Sequence, residues 1–285
     1  MTDTILALVD GSIYSESVCH HTAWIAGRLN ATVEVMHVLG RREGAASTQD
    51  LSGSLRLGAR SALLAELAAA DEQRARLAKE KGRAILEDAT KILEADGAGP
   101  VMAQLRTGDI LEAVQKIEPD LRAIVIGKRG EGADFAAGHL GSNLERIVRA
   151  SKVPVFVASR AFTPINRVLM AFDGSPSSTK AIDRMSRSEV FKGLEITVLH
   201  ADNGHGPIGA RMDDAVATLN AAGFQATAGI ARGEPDDVLR SVVAAEGVDL
   251  LVMGAYGHSR IRSLIIGSTT TAMVQAVRIP VLLYR

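Results

Sequence analysis

The sequence predicts an α/β protein of two tandem domains, each a parallel sheet of about five strands flanked by helices. Two observations lead to this prediction. Short apolar runs alternate with segments of helical periodicity, which is the pattern of repeated β-α-β units. The same series of landmarks then occurs twice along the 285 residues, so the chain divides into two similar halves. We place the domains at residues 1–160 and 165–285.

The repeat can be followed from the first strand of each half to the last. Each half begins with an apolar run that ends in Asp-Gly-Ser, at Asp10 and at Asp173, and a second run ends in His37 or His200. A later run ends in "GKRG" or "GAYG", and a Gly-Ser precedes the final helix. Near-continuous apolar runs such as "DLLVMG" and "VPVFVA" are typical of strands buried on both faces.

The first half carries an insertion of 38 residues within positions 39–97. It begins with the polar stretch "GRREGAASTQDLSGS", which predicts a loop. It continues as a long helix whose buried face is predicted to hold Ile85, Ala89, Ile92 and Leu93. The counterpart helix of the second half is expected to bury Met212, Val216 and Leu219. Both helices should stop at a glycine, Gly97 or Gly223.

Composition and charge narrow the class of protein. The formal net charge of −1 argues against a nucleic acid or an acidic membrane surface as an electrostatic partner. Cys19 is the single cysteine, so an intramolecular disulfide and a cysteine zinc cluster are excluded. No apolar run approaches the roughly 18 residues of a membrane span, and the N-terminus does not resemble a signal peptide. We therefore expect a soluble, cytoplasmic protein.

The stretch "GAYGHSRIRSLIIGSTTTA" combines the features of an anion site. Gly254 ends a predicted strand, where a ligand can approach a backbone that has no Cβ. Gly267, Ser268 and Thr269 open a helix, whose N-terminal N–H groups favour anions. The alternative is an ordinary strand-to-helix turn with a serine cap. Asp10 and Asp173 likewise follow a first strand, and their alternative role is to cap the next helix.

The order of strand, Gly-x-x-Gly, nine residues and Gly-Ser, together with the early strand-end Asp, resembles the universal stress protein family. The resemblance covers nearly the whole chain as two copies and implies five-stranded Rossmann-like domains that bind ATP. It implies these nucleotide-binding residues in the second half: Asp173, Ala201, Met253, Gly254, Gly257, Gly267, Ser268 and Thr269. In the first half it implies Asp10, Val38, Ile126, Gly127, Gly130, Gly141 and Ser142.

The first copy departs from this pattern. Ten residues separate Gly130 from Gly141, and Asn143 replaces the hydroxyl of Thr269. Asp134 adds a negative charge to the loop, while Lys128 and Arg129 add positive charge. We therefore expect the two sites to differ. Two further signals are interpreted as structural: "GHGPIG" at 204–209 follows the second strand rather than the first, and "CHH" at 19–21 lacks the cysteines of a zinc site.

The leading functional hypothesis is a regulatory or signalling protein of the stress response that binds ATP, with Mg²⁺ on the phosphates. A slow ATPase or phosphotransferase is the first alternative, although no catalytic residue and no metal-ligating side chain is assigned. A nucleotide-free interaction scaffold is the second. The apolar last strands of the halves are predicted to be edges. They could pair within one chain as a pseudo-dimer, which would form homo-oligomers in turn.

Overall fold

The computed structural model describes residues 3–40, 57–130, 140–202, 208–255 and 267–285. In the first half the strands are β1 (Thr4–Leu8), β2 (Thr32–Leu39), β3 (Val101–Thr107), β4 (Leu121–Gly127) and β5 (Val155–Ala158). The helices are α1 (Ser15–Leu29), α2 (Leu57–Ala95), α3 (Ile110–Ile117) and α4 (Ser142–Ala150).

The second half repeats this order of elements. Its strands are β6 (Arg167–Ala171), β7 (Glu195–Asp202), β8 (Gln225–Arg232), β9 (Leu250–Gly254) and β10 (Val281–Tyr284). Its helices are α5 (Pro176–Ser186), α6 (Gly209–Ala221), α7 (Pro235–Ala245) and α8 (Ser268–Ala276). A short 3-10 helix lies in each half, at Glu118–Asp120 and at Glu189–Phe191.

The described strands form one sheet in the order β3-β2-β1-β4-β5-β10-β9-β6-β7-β8. Every pair within a half is parallel, which confirms the α/β class with two tandem domains. In each half the order is third-second-first-fourth-fifth strand. This is the order of the Rossmann-like, doubly wound fold, so the chain reverses direction across the sheet between β1 and β4, and between β6 and β9.

The two halves meet at their last strands. β5 and β10 are antiparallel, with Phe156 opposite Leu282. These two residues hold equivalent positions in the repeat, so a pseudo-two-fold axis passes between them. The last strands are therefore the edges of their own halves and pair within one chain, as predicted from the sequence. The edges of the whole sheet are β3 and β8, because each half satisfies the exposed edge of the other.

Two apolar cores lie on opposite faces of the sheet, and each runs through both halves. One contains buried side chains of α1, α2, α5 and α6, including Leu93 and Leu219. The other contains those of α4, α7 and α8, with Val114 of α3. The turns after α2 and α6 do contain the expected glycines, Gly97 and Gly223, with φ of +74° and +88°. The polar start of the insertion lies outside the described residues.

Candidate functional site

A cleft opens at the point where the strand order of the first half reverses. Ligands of open α/β sheets lie at such points, beyond the carboxyl ends of the strands. The cavity measures about 960 Å³. The seven residues that the sequence predicted for this half all line it: Asp10, Val38, Ile126, Gly127, Gly130, Gly141 and Ser142. The fold thus brings together residues from β2, β4, α4 and the turn after β1.

Asp10 organises the turn between β1 and α1. Its Oδ1 accepts the backbone N–H of Ser12 at 3.0 Å and the Ser15 hydroxyl at 3.3 Å. In the second half Asp173 Oδ1 accepts the N–H of Ser175 at 2.9 Å. A carboxylate that bonds the backbone two residues on forms an Asx turn. Neither aspartate is the N-cap of its helix, so the capping alternative is not what the structure shows.

The repeated histidines have a structural role beside the clefts. His37 Nδ1 lies 2.8 Å from the Val9 carbonyl oxygen, and His200 Nδ1 lies 3.0 Å from that of Phe172. A carbonyl only accepts, so each Nδ1 carries the hydrogen and donates it. Each histidine therefore ties the second strand of its half to the residue that precedes the strand-end aspartate, which fixes the position of the aspartate.

The glycines of the first cleft are closely surrounded. A Cβ on Gly127 would lie 2.7 Å from Tyr14 Cβ, and one on Gly130 would lie 2.8 Å from Asp10 Oδ2. The Gly141 N–H donates to the Lys128 carbonyl at 3.2 Å, which closes the arm after β4 onto the start of α4. A side chain at Gly127 would displace Tyr14 and one at Gly130 would displace Asp10, so close packing beside the cleft requires both glycines.

The N-terminus of α4 forms one wall of the cleft. Its N-cap is Gly141, and no side chain caps the helix. Ser142, Asn143 and Leu144 of its first turn line the cavity. The first N–H groups of a helix have no partner within it, and they carry a partial positive charge. This wall can therefore receive an anionic group.

Two arginines that the sequence reasoning did not assign to the site also line the cleft, Arg129 and Arg146. Arg146 Nη2 lies 2.9 and 2.7 Å from the two carboxylate oxygens of Asp109. The hydrogen bond from Arg146 lowers the pKa of Asp109 below its ordinary value. Asp109 also caps α3, accepting from the N–H groups of Leu111 and Glu112. The cleft wall therefore contains an ion pair, Arg146 with Asp109, that the cap of α3 holds in place.

The corresponding region of the second half has the same backbone closure. The Gly267 N–H donates to the Ala255 carbonyl at 3.3 Å, as Gly141 does to Lys128. Gly267 is the N-cap of α8, again without a side-chain cap. A Cβ on Gly254 would lie 2.6 Å from Ser177 Oγ.

The other residues predicted for the second half are placed as follows. Met253 is buried at the end of β9, and Ala201 lies near the end of β7. Ser268 and Thr269 form the first turn of α8, but the hydroxyl that bonds the Gly254 carbonyl is that of Thr270, at 3.2 Å. Gly257 lies outside the described residues, as does most of "GHGPIG".

The Cys-His-His sequence lies on α1. Cys19 and His21 are buried in the core, and burial raises the pKa of the Cys19 thiol to about 12. His20 Nδ1 lies 2.5 Å from Asp96 Oδ2, just beyond the end of α2. These contacts attach α1 to the sheet and to the inserted helix. None of the described helices combines the length and apolar character needed to cross a membrane.

Fold and cleft together define an α/β protein built from two Rossmann-like units, with a ligand-sized cleft at the switch point of the first. The family model for the universal stress protein family matches residues 1–159 and again residues 164–285. The universal stress protein Slr1230 of Synechocystis sp. is 34% identical over 284 residues, which is 99% of either chain. The chain therefore belongs to the universal stress protein family.

Further relatives support the tandem arrangement. A universal stress protein of Mycolicibacterium smegmatis is 25% identical over 299 residues, covering 99% of this chain and 96% of its own. Among solved structures, a universal stress protein from Archaeoglobus fulgidus has a TM-score of 0.73 at 20% identity. The match covers 99% of this chain and 98% of that one. At this identity the likeness establishes the shared fold.

Proposed function

We propose that this universal stress protein binds ATP in both halves and acts as a regulatory or signalling protein in the stress response. The observation that carries the proposal is the cleft of the first half. Seven residues chosen from the sequence for nucleotide binding line one cavity of about 960 Å³. Small-molecule sites commonly have volumes of about 300–1,000 Å³. Residues 1–160 and 165–285 would each carry one site.

The chemistry of the first cleft fits a nucleoside phosphate. Val38 and Ile126 offer an apolar wall for a base, and the Asp10 carboxylate can accept from ribose hydroxyls. The start of α4 and Arg129 offer N–H groups and positive charge to phosphates. ATP is the nucleotide that the family resemblance implies.

Magnesium would depend on the nucleotide for most of its ligands. The described part of the chain contains no group of three or more His, Cys, Asp or Glu side chains that could hold a metal. Mg²⁺ usually keeps several waters and binds through phosphates with one or two carboxylates. Asp10 is the cleft carboxylate best suited to contribute, because Asp109 is engaged by Arg146.

The second half supports a second, different site. Its backbone closure between Gly267 and Ala255 matches that of the first half. The positions equivalent to Arg129 and Arg146 are Tyr256 and Ala272. Neither position carries an arginine, so the second site would hold the phosphates with a different set of residues.

The test is to denature the purified full chain and to chromatograph the small molecules released, followed by calorimetric titration of the stripped protein with ATP and Mg²⁺. We expect about two equivalents of nucleotide, one for each half. Gly130→Val and Gly267→Val should each remove one site. Gly27→Val is the matched control, since a Cβ on Gly27 meets nothing within 4 Å.

The alternatives give different results in the same experiment. An ATPase would release ADP over many turnovers, and Gly130→Val or Gly267→Val would abolish this release. A full chain that carries no nucleotide and gives no heat with ATP would leave an interaction scaffold and end the proposal. Normal ATP binding by the Gly130→Val, Gly267→Val double variant would show that the sites lie elsewhere.

A further inference from the structure

An arginine from the second half contacts the end of a helix in the first. Arg285 follows β10, and its Nη1 donates to the carbonyl oxygens of Arg149, Ala150 and Ser151 at 3.0, 3.4 and 3.5 Å. These residues form the C-terminal end of α4 and its C-cap. The last carbonyls of a helix have no hydrogen-bond partner within the helix. The Arg285 guanidinium therefore supplies hydrogen bonds to these carbonyl oxygens that water would otherwise have to make.

A lysine from the first half makes the reciprocal contact. Lys128 follows β4, and its Nζ donates to the carbonyl oxygen of Val277, which is the C-cap of α8. Only 8% of Lys128 is exposed, so this ammonium is held in the interface between the halves. The antiparallel pairing of β5 with β10 makes both contacts possible, because it brings residues of each half beside the C-terminal helix end of the other.

The two helices that receive these contacts are those whose N-termini form the candidate anion sites. α4 and α8 have nine residues each, so each is about 13 Å long. Helices of this length are marginal without external contacts, and cations at the C-terminus stabilise them. In so short a helix, a displacement of the C-terminal end also moves the N-terminal end.

We infer that Arg285 and Lys128 are positioning residues, each of which holds the anion-binding helix of the opposite half in place. The inference rests on the proposed function, since it assigns the contacts a role in ligand affinity. It also predicts that neither half contains everything its own site requires. The repeat does not reveal these contacts: the position equivalent to Arg285 is Ser159, and that equivalent to Lys128 is Ala255.

The test measures ATP affinity at one site at a time in the full chain. In a Gly267→Val background only the first site remains, and Arg285→Met should weaken ATP about two- to fivefold there. In a Gly130→Val background only the second site remains, and Arg285→Met should leave its affinity unchanged. Arg187→Met is the matched control, because Arg187 lies on the surface and its hydrogen bond is to Asp183 of the neighbouring helix α5.

Lys128→Met should weaken the second site by a similar factor, measured in the Gly130→Val background against Gly130→Val alone. The Lys128 carbonyl also closes the first cleft, so the second site is the readout for this residue. The one-sided loss with Arg285→Met separates positioning from general destabilisation, which would weaken both sites. Equal losses at both sites with Arg285→Met, or unchanged affinity at the first, would overturn the inference.

Hydrogen exchange distinguishes this inference from the proposed function. Arg285→Met should speed exchange along α4 as far as its first turn, while exchange in α8 stays as in the unsubstituted chain. If the full chain bound no ATP, the proposed function would fail, and exchange would still report on the contact. Unchanged exchange at the first turn of α4 would show that Arg285 does not position that helix.

Discussion

His21 is a buried titratable residue at the core face of α1. Its Nδ1 lies 2.7 Å from the Ser17 carbonyl oxygen, and its ring contacts Phe156 and Phe162 with centroid distances of 5.2 and 5.0 Å. Its Nε2 has no hydrogen-bond partner among the described residues. Burial lowers the pKa of His21 to about 4 from 6.5. The folded protein therefore holds this imidazole neutral at pH values where the unfolded chain would protonate it.

His21 should make the protein sensitive to acid. Between pH 6.5 and 4 the unfolded chain binds the proton and the folded protein does not, so stability falls as pH falls. The full shift corresponds to about 3 kcal/mol. When the pH is lowered from 7 to 4.5, the free energy of unfolding, measured by urea denaturation, should fall less in the His21→Phe variant than in the unsubstituted protein. Parallel losses in the two proteins would show that His21 is not the group responsible.

A substitution can separate the observed role of Asp10 in the turn from its proposed role in binding the nucleotide. Asn keeps an Oδ1 acceptor for the Ser12 N–H, so Asp10→Asn should retain the turn and change stability by less than about 0.5 kcal/mol. It removes the negative charge offered to the ligand, and ATP affinity at the first site should fall about tenfold. Asp10→Ala should lower both stability and affinity. If Asp10→Asn bound ATP normally, Asp10 would serve only the turn.

At the scale of elements, α2 packs closely on the sheet beside the cleft at Gly82. A Cβ on Gly82 would lie 2.8 Å from Leu105 Cδ1 and 2.9 Å from His37 Cδ2. The His37 ring is held by its bond to the Val9 carbonyl, so it cannot move away at no cost. Close packing therefore explains why a residue with poor helix propensity occurs in the middle of this helix.

Gly82→Ala and Gly27→Ala form a matched pair in two helices. Alanine in place of an exposed helical glycine stabilises by about 0.5–1 kcal/mol, and Gly27 has nothing within 4 Å of its missing Cβ. At Gly82 the same gain is opposed by overpacking of about 1–3 kcal/mol. Thermal or urea unfolding should show Gly27→Ala more stable and Gly82→Ala less stable than the unsubstituted chain. A more stable Gly82→Ala variant would contradict this packing.

The residues of the first cleft differ in how far the sequence could predict them. The residues that converge on the first cleft were predictable, because Asp10 at a strand end and Gly141 before a helix are local features that the repeat marks twice. The pair of Arg146 with Asp109 was not, since 37 residues separate its members. The second half has Ala272 and Glu234 in their places, so the repeat gave no signal. The binding roles of the predicted residues stay predictions.

At the scale of the whole molecule, the halves are joined through backbone and charge as well as through apolar packing. The contact of Arg285 with the end of α4 depends on the register of β5 against β10, which no periodicity in the sequence encodes. Arg28 of α1 likewise donates to the carbonyl of Val190 in the second half at 2.6 Å. Such contacts follow from the docking of two domains, so sequence patterns within one domain cannot predict them.

Lys128 makes this interface dependent on pH. Burial, with a smaller contribution from Arg129, lowers the pKa of Lys128 from 10.5 to about 8. Between pH 8 and 10.5 the unfolded chain keeps the proton on this lysine and the folded protein releases it. The unfolded state then binds more protons, so the contribution of Lys128 to stability rises with pH across this range. The full change corresponds to about 3 kcal/mol.

Comparison with Lys128→Met isolates this effect, because the other groups that titrate at high pH are shared by the two proteins. The free energy of unfolding of the unsubstituted chain, relative to that of Lys128→Met, should increase between pH 7.5 and 10 in urea titrations. Arg187→Met, whose arginine lies on the surface, should show no such trend. A difference between Lys128→Met and the unsubstituted chain that stays constant with pH would mean that the ammonium is solvated. The Val277 carbonyl would then be bonded by a lysine of ordinary pKa, and the interface would carry no buried charge at this point.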